Sequence, residues 1–180
     1  MLFSRVISFL VFSLTLGTFA VGKPVTTRSD VTFVQSVFTS LQSNTNNILP
    51  QIKGLTAEGN ATNESVGPLI IELISALQGT QGSVALIGPI SSNASNDTLV
   101  ELIAETIADI VGTLDLLANS TDITDLSGLL SGIDLALAEI LLGLDVIVAG
   151  VITLVATLLA GLTVSLEDIG FGQTITALKL

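Results

Sequence analysis

From Val146 to Leu166 the chain reads VIVAGVITLVATLLAGLTVSL, 21 residues without a charge. As a helix this run is ~32 Å long, against ~30 Å for the hydrocarbon core of a bilayer. Such a segment is stable in a membrane, at the centre of a bundle, or on an apolar interface. Its flanks disfavour the membrane. Asp145 and Glu167-Asp168 bracket it, no Trp or Tyr forms a belt, and Lys179 is the one base nearby. A removable glycolipid-anchor signal would end the chain, whereas Glu167, Asp168 and Lys179 follow the run. Membrane anchoring is therefore the weaker alternative.

The second environment needs amphipathic helices to cover the run, and the sequence supplies three. In the first, Val31, Val34, Phe38, Leu41, Thr45, Ile48, Ile52 and Leu55 recur at spacings of three and four. Ser29 or Asp30 suits its start, Pro50 should kink or split it near Asn46 and Asn47, and Gly54 and Gly59 should end it. In the second, Val66, Ile70, Leu73, Leu77, Thr80, Val84 and Ile87 share one face. Pro68 suits its first turn, Gly79 and Gly82 weaken its middle, and Gly88-Pro89 should end it. The third carries Val100, Ile103, Ile107, Ile110, Leu114 and Leu117, with Thr98 and Glu101 spaced as a capping box. The tail from Glu167 to Leu180 reads as polar and loop-like. The expected fold is all-α, a bundle of about four to five helices with a very apolar C-terminal helix.

The N-terminus reads as an address. Arg5 precedes an apolar stretch from Val6 to Leu16, and Ala20-Val21-Gly22 offers small residues for cleavage before Lys23. A second site follows Ala20. Residues 1–22 are thus expected to be a signal peptide and 23–180 one secreted helical domain. Its amphipathic half spans 30–120 and its apolar half 121–180. Loss of Arg5 with the leader leaves four bases against 16 acids, a net charge of −12. Five Asn-x-Ser/Thr triplets, at Asn60, Asn63, Asn93, Asn96 and Asn119, fall between the apolar segments, and glycans are expected on at least some of them, the second site of each adjacent pair being open to steric skipping.

Composition then narrows the chemistry. The chain has no Cys, so it has neither a disulfide framework nor a thiol nucleophile. It has no His, the commonest general base. Glu101, Glu105 and Asp109 recur every four residues, but no base lies between Lys53 and Lys179 to tune them. A solvated helix face is the expectation there. Five bases in the whole chain argue against nucleic acid as a partner. We therefore expect no catalysis, no cofactor and no metal. Function is expected from apolar contact instead, through Ile140, Leu144, Ile147, Val151, Leu154, Leu158 and Leu162, which continue the three-and-four spacing across the apolar half. The expected partners are hydrophobic surfaces or lipids, with self-association an option. A helical bundle that binds a lipid or fatty acid inside is the alternative, because the Gly and Ala residues of 143–161 would leave room between helices.

The order Phe33-Val34 through Ile48-Leu49-Pro50, then a sequon-bearing loop and a Leu-rich helix, resembles small secreted basidiomycete proteins of the kind found in Schizophyllum culture media and cell walls. That family has a hydrophilic first half and a hydrophobic second half. The resemblance implies an extracellular, wall-associated role in aerial hyphae formation and hyphal attachment, partly substituting for hydrophobins. A looser likeness is to the hydrophobic-surface-binding and cell-wall mannoprotein family, secreted all-α proteins that adsorb to hydrophobic solids. The likeness covers nearly all of 30–166 and rests on layout and composition, so no functional residue carries over, and the long apolar C-terminal run departs from the second family. The absence of Cys separates the chain from hydrophobins themselves.

Enzymatic removal of N-glycans is expected to lower the mass of the secreted chain to that of residues 23–180. An unchanged mass on treatment would show that none of the five sequons is used.

Overall fold

The computed structural model describes residues 31–90, 97–120, 123 and 125–180. The leader expected at 1–22, the lead 23–30, and Asn93 and Asn96 lie outside the described residues. Four long helices come first: α1 (Val31–Ala57), α2 (Asn63–Ala85), α3 (Asp97–Ser120) and α4 (Leu126–Ile147). Shorter pieces follow: α5 (Val151–Leu159), a 3₁₀ turn (Ala160–Leu162), α6 (Thr163–Asp168) and α7 (Gly172–Leu178). The described residues form an all-α bundle with one apolar helical stretch, Val151–Asp168.

The three amphipathic stripes read from sequence form one side of the core, which α4 to α7 complete. Val31 and Leu55 are half-buried at the ends of α1, and every other residue of the three stripes is buried. Burial of each Val, Leu, Ile or Phe side chain contributes roughly 1.5–3 kcal/mol.

That packing overrides the expected breaks. α1 runs through Pro50 without interruption, and Asn46 and Asn47 remain helical. Pro50 itself is exposed while Ile48, Leu49 and Ile52 are buried around it. The amide lost to proline therefore falls on the wet side of the helix. Gly54 also stays helical. The terminator is Gly59 (φ +67°), where the amide of Asn60 reaches the carbonyl of Leu55 and that of Gly59 the carbonyl of Thr56. This is a Schellman turn, whose left-handed residue glycine adopts without Cβ strain. α2 likewise continues past Gly79 and Gly82, both exposed. Pro68 falls in its second turn, because α2 starts early, at Asn63 after Thr62. α3 begins at Asp97, so Thr98 is already helical rather than its cap.

The apolar run is not one straight helix. Val146 and Ile147 close α4, and Val148, extended at φ −124° and ψ 98°, leads to Gly150 at φ +80°. The amide of Ile90, beyond α2, donates to the carbonyl of Ile147 at 2.8 Å and holds this corner. The tail expected as loop is helical instead. At Gly170 (φ +79°) the amide of Phe171 bonds the carbonyl of Leu166, a second Schellman turn. The hydrophobic pair that accompanies such turns, Leu166 and Phe171, is fully buried. α7 then presents Thr174, Ala177 and Leu178 inward.

Packing follows a ring. α1 lies against α2 and α3, α2 against α4, and α3 against α5 and α6. α4 meets α7, and α3 and α4 scarcely touch each other. The C-terminal segment is therefore the wall that closes the bundle between them.

The α2–α4 crossing depends on two glycines. A Cβ on Gly143 would lie 2.8 Å from Val84 Cγ1, and one on Gly132 3.1 Å from Ile74 Cδ1. Val84 is buried and stiff at χ1, whereas Ile74 offers the end of a flexible chain. Gly143→Ala is expected to destabilise by about 1–3 kcal/mol despite the better helix propensity of Ala. Gly132→Ala is expected to stay within about 1 kcal/mol of the parent. Urea unfolding of both variants checks this, and Val84→Ala should recover part of the Gly143→Ala loss.

Candidate functional site: the outer face of the C-terminal half

The seven residues assigned to apolar contact do not share one face. Ile140, Leu144 and Ile147 on α4 and Val151 on α5 are buried. Leu162 is half-buried in the 3₁₀ turn. Leu154 and Leu158 point outward, 51% and 55% exposed. The break at Val148–Gly150 rotates α5 relative to α4, so a stripe continuous in sequence divides between core and surface.

Other apolar side chains of the C-terminal half are exposed too. Val164 follows the turn at 67% exposure, and Leu135, Leu142 and Val146 line the outer side of α4. Among the described residues, seven of the ten exposed large hydrophobics lie from Leu135 onward. Helical spacing explains the α4 group: 135, 142 and 146 differ by seven and four, which places them on one side. Glu139 sits among them and is exposed. These residues were hidden in a sequence too uniformly apolar to show a face.

Two open grooves lie beside some of these residues. One of ~230 Å³ runs between α3 and α5, with Val100, Leu154, Thr157 and Leu158 on its walls and Asp97 and Glu101 at its edge. Another of ~660 Å³ runs along the α4–α7 seam, bordered by Ser131, Ala138, Leu142, Gly172, Gln173 and Thr176. Val151–Asp168 is also long and apolar enough to cross a membrane by length and composition, with mean hydropathy 1.6, and 33% of it is buried.

Polar groups are placed for architecture. Asp134, inside α4 and only 4% exposed, accepts from the amides of Thr174 at 2.8 Å and Gln173 at 3.1 Å. It thereby satisfies the free N–H groups at the start of α7. Thr174 Oγ1 also donates to the Asp134 carbonyl at 3.3 Å. No motif in the sequence marks Asp134. Its signal was register, since it adjoins the inward series Leu130, Ile133, Leu137 and Leu141. Glu101, Glu105 and Asp109 are exposed along α3, where Glu105 Oε2 accepts from Gln42 Nε2 at 3.2 Å. Lys179 Nζ meets Asp145 Oδ2 at 3.3 Å, an exposed pair of small energetic weight. Among the described residues no group of three or more Asp or Glu is arranged to hold a metal ion.

The three sequon asparagines within the described residues are all exposed, but two are helical. Asn63 is the first residue of α2, and Asn119 lies in the last turn of α3, donating to Asp115 Oδ1 at 2.7 Å. Asn60 precedes the Thr62 cap. There Thr62 Oγ1 accepts from the Ser65 amide at 3.2 Å and Ser65 Oγ from the Thr62 amide at 2.9 Å. The hydroxyls of both sequons thus form a capping box, missed in sequence because Ser stands where Glu or Gln was sought.

The chain matches no known protein-family model and no curated protein.

Thr62→Ala is expected to cost about 1 kcal/mol through loss of the cap, even in deglycosylated protein. Asn60→Gln removes the same sequon with the cap intact, and thermal unfolding should move by less than about 0.5 kcal/mol.

Proposed function

We propose that this is a non-catalytic, secreted surface protein, associated with the fungal cell wall, that coats or adheres to hydrophobic interfaces. The observation that carries the reading is the concentration of exposed apolar side chains on the C-terminal half. Singly scattered leucines need no explanation, but clustered ones on one part of a fold mark contact surfaces. The N-terminal half presents Asn60 and Asn63, where glycans would keep the surface around them wet. A molecule with one apolar and one hydrated side orients at an oil, air or solid boundary. Formation of aerial hyphae and attachment of hyphae are processes such a coat would serve, as the likeness to basidiomycete wall proteins suggests. The acidic chain, with a net charge of −11 including its leader, stays dispersed by self-repulsion until it meets such a boundary.

A membrane-anchored surface glycoprotein is the second reading, favoured by the hydropathy of Val151–Asp168. Protein recovered from culture medium without detergent would exclude it.

Leu154→Ser combined with Leu158→Ser tests the main reading. Both side chains are largely exposed, so stability should change by less than about 1 kcal/mol. Adsorption to polystyrene and the lowering of surface tension are expected to fall several-fold relative to the parent. Equal adsorption by parent and variant would remove this face as the contact surface.

A further inference from the structure

We propose that Thr163–Leu180 is a strap that opens as a unit about the 3₁₀ turn Ala160–Leu162, uncovering the apolar interior between α3 and α4. The strap deepens the interface reading above by naming how buried surface becomes available, though its test does not depend on that reading.

Four observations converge. First, the strap closes a gap, because α3 and α4 scarcely touch and α6 and α7 lie between them. Second, its polar fastening comes from three carboxylates. Ser165 Oγ donates to Asp115 Oδ2 on α3 at 3.1 Å. The amides of Gln173 and Thr174 donate to Asp134, and Lys179 pairs with Asp145, both on α4. The exposed Lys179–Asp145 pair and the part-buried Ser165–Asp115 bond exchange for water more readily than the hydrophobic seam of α1–α4, and the buried Asp134 bonds are the latch that opening must break. Third, α7 has open space on two sides. A ~660 Å³ groove runs along its seam with α4, and another of ~450 Å³ lies between α5 and the chain end, bordered by Ala156, Ala160 and Leu178. Fourth, a hinge is in place. The 3₁₀ turn contains Gly161, buries no side chain, and interrupts an otherwise helical 151–168. A 3₁₀ interruption within a helix is where hinges commonly occur.

Opening has a defined result. Straightening the turn joins α5 to α6 as one apolar helix, Val151–Asp168, while α5 remains against α3. The strap turns out Leu166, Ile169, Phe171 and Leu178, all buried when closed. Their former partners on α3 and α4 face the boundary at the same time.

Hydrogen exchange followed by mass spectrometry on the full mature chain in solution tests the strap, with no surface present. Amides of 163–178 are expected to exchange together, on the order of ten-fold ahead of those in α1–α4. Asp134→Ala should accelerate that block on the order of ten-fold more, leaving α1–α3 unchanged. A cysteine pair, Asp115→Cys with Ser165→Cys, decides the matter if Asp134→Ala fails to fold, since the chain has no other cysteine. Oxidised, the pair should slow the block to the rate of α4, and reduction should restore the faster exchange. Exchange of 163–178 at the pace of α1–α4 in the parent would overturn the strap, as would a block indifferent to the staple. Failure of the parent to adsorb would instead overturn the interface reading and leave this result standing.

Discussion

The structure depends on how the gap between α3 and α4 is filled. Consecutive helices joined by a short link usually pack together. Here they stand apart, and the final thirty residues occupy the space. The apolar run therefore serves two surfaces. Val151, Ile152, Val155 and Leu159 complete the core, while Leu154 and Leu158 on the same short helix face outward. A helix apolar on all sides can be buried only if it is surrounded. At the rim of a ring it is covered on one side alone.

Asp134 makes that arrangement specific. Hydrophobic packing alone would let a short apolar helix slide along α4, since Leu, Ile and Ala recur throughout. A buried carboxylate that satisfies two amides at the start of α7 fixes both register and direction. Losing it would leave donors unpaired, which costs more than the bonds themselves contribute. Lys179, in the left-handed conformation at φ +62°, repeats the logic at the other end of α7. The amide of Leu180 there reaches the carbonyl of Ile175, and the ammonium reaches Asp145. Among the described residues no buried side-chain nitrogen or oxygen lacks a partner, so the polar groups inside are part of the architecture.

Most of the bundle was legible because amphipathic helices announce their buried face. The stripes of α1 and α2 name almost all their core residues, whereas the buried face of α3 is wider than its stripe and adds Leu99, Ala104, Thr106, Val111 and Thr113. Local breakers misled because propensity is a weak term beside tertiary packing: Pro50, Gly79 and Gly82 all lie on exposed faces of helices held by their opposite side. The C-terminal half was illegible for the opposite reason. When nearly every position is apolar, periodicity carries no information about which side is wet. Leu154 and Leu144 look equivalent in sequence, yet one is half exposed and the other fully buried. The polar residues carried the missing information. Asp134 marked the docking of α7, and Gly150 and Gly170 marked turns that divide the run.

The same uniformity explains why apolar surface gathers where it does. α1 to α3 alternate enough polar residues to clothe their outer faces with Ser, Thr, Asn, Gln and Glu. α4 and α5 have few such residues to spend, so whatever the ring cannot cover must face solvent. Exposed Glu139, Asp145, Glu167 and Asp168 are interspersed in sequence among the exposed apolar residues and keep their surroundings hydrated. A chain selected only for a stable core would gain solubility at little cost by placing Ser or Lys at 142, 146, 154 and 158, because these side chains contribute little to packing. Retaining Leu and Val there is intelligible if the outer face has a contact of its own to make, and a boundary that accepts any apolar side chain demands no more exact residues than these.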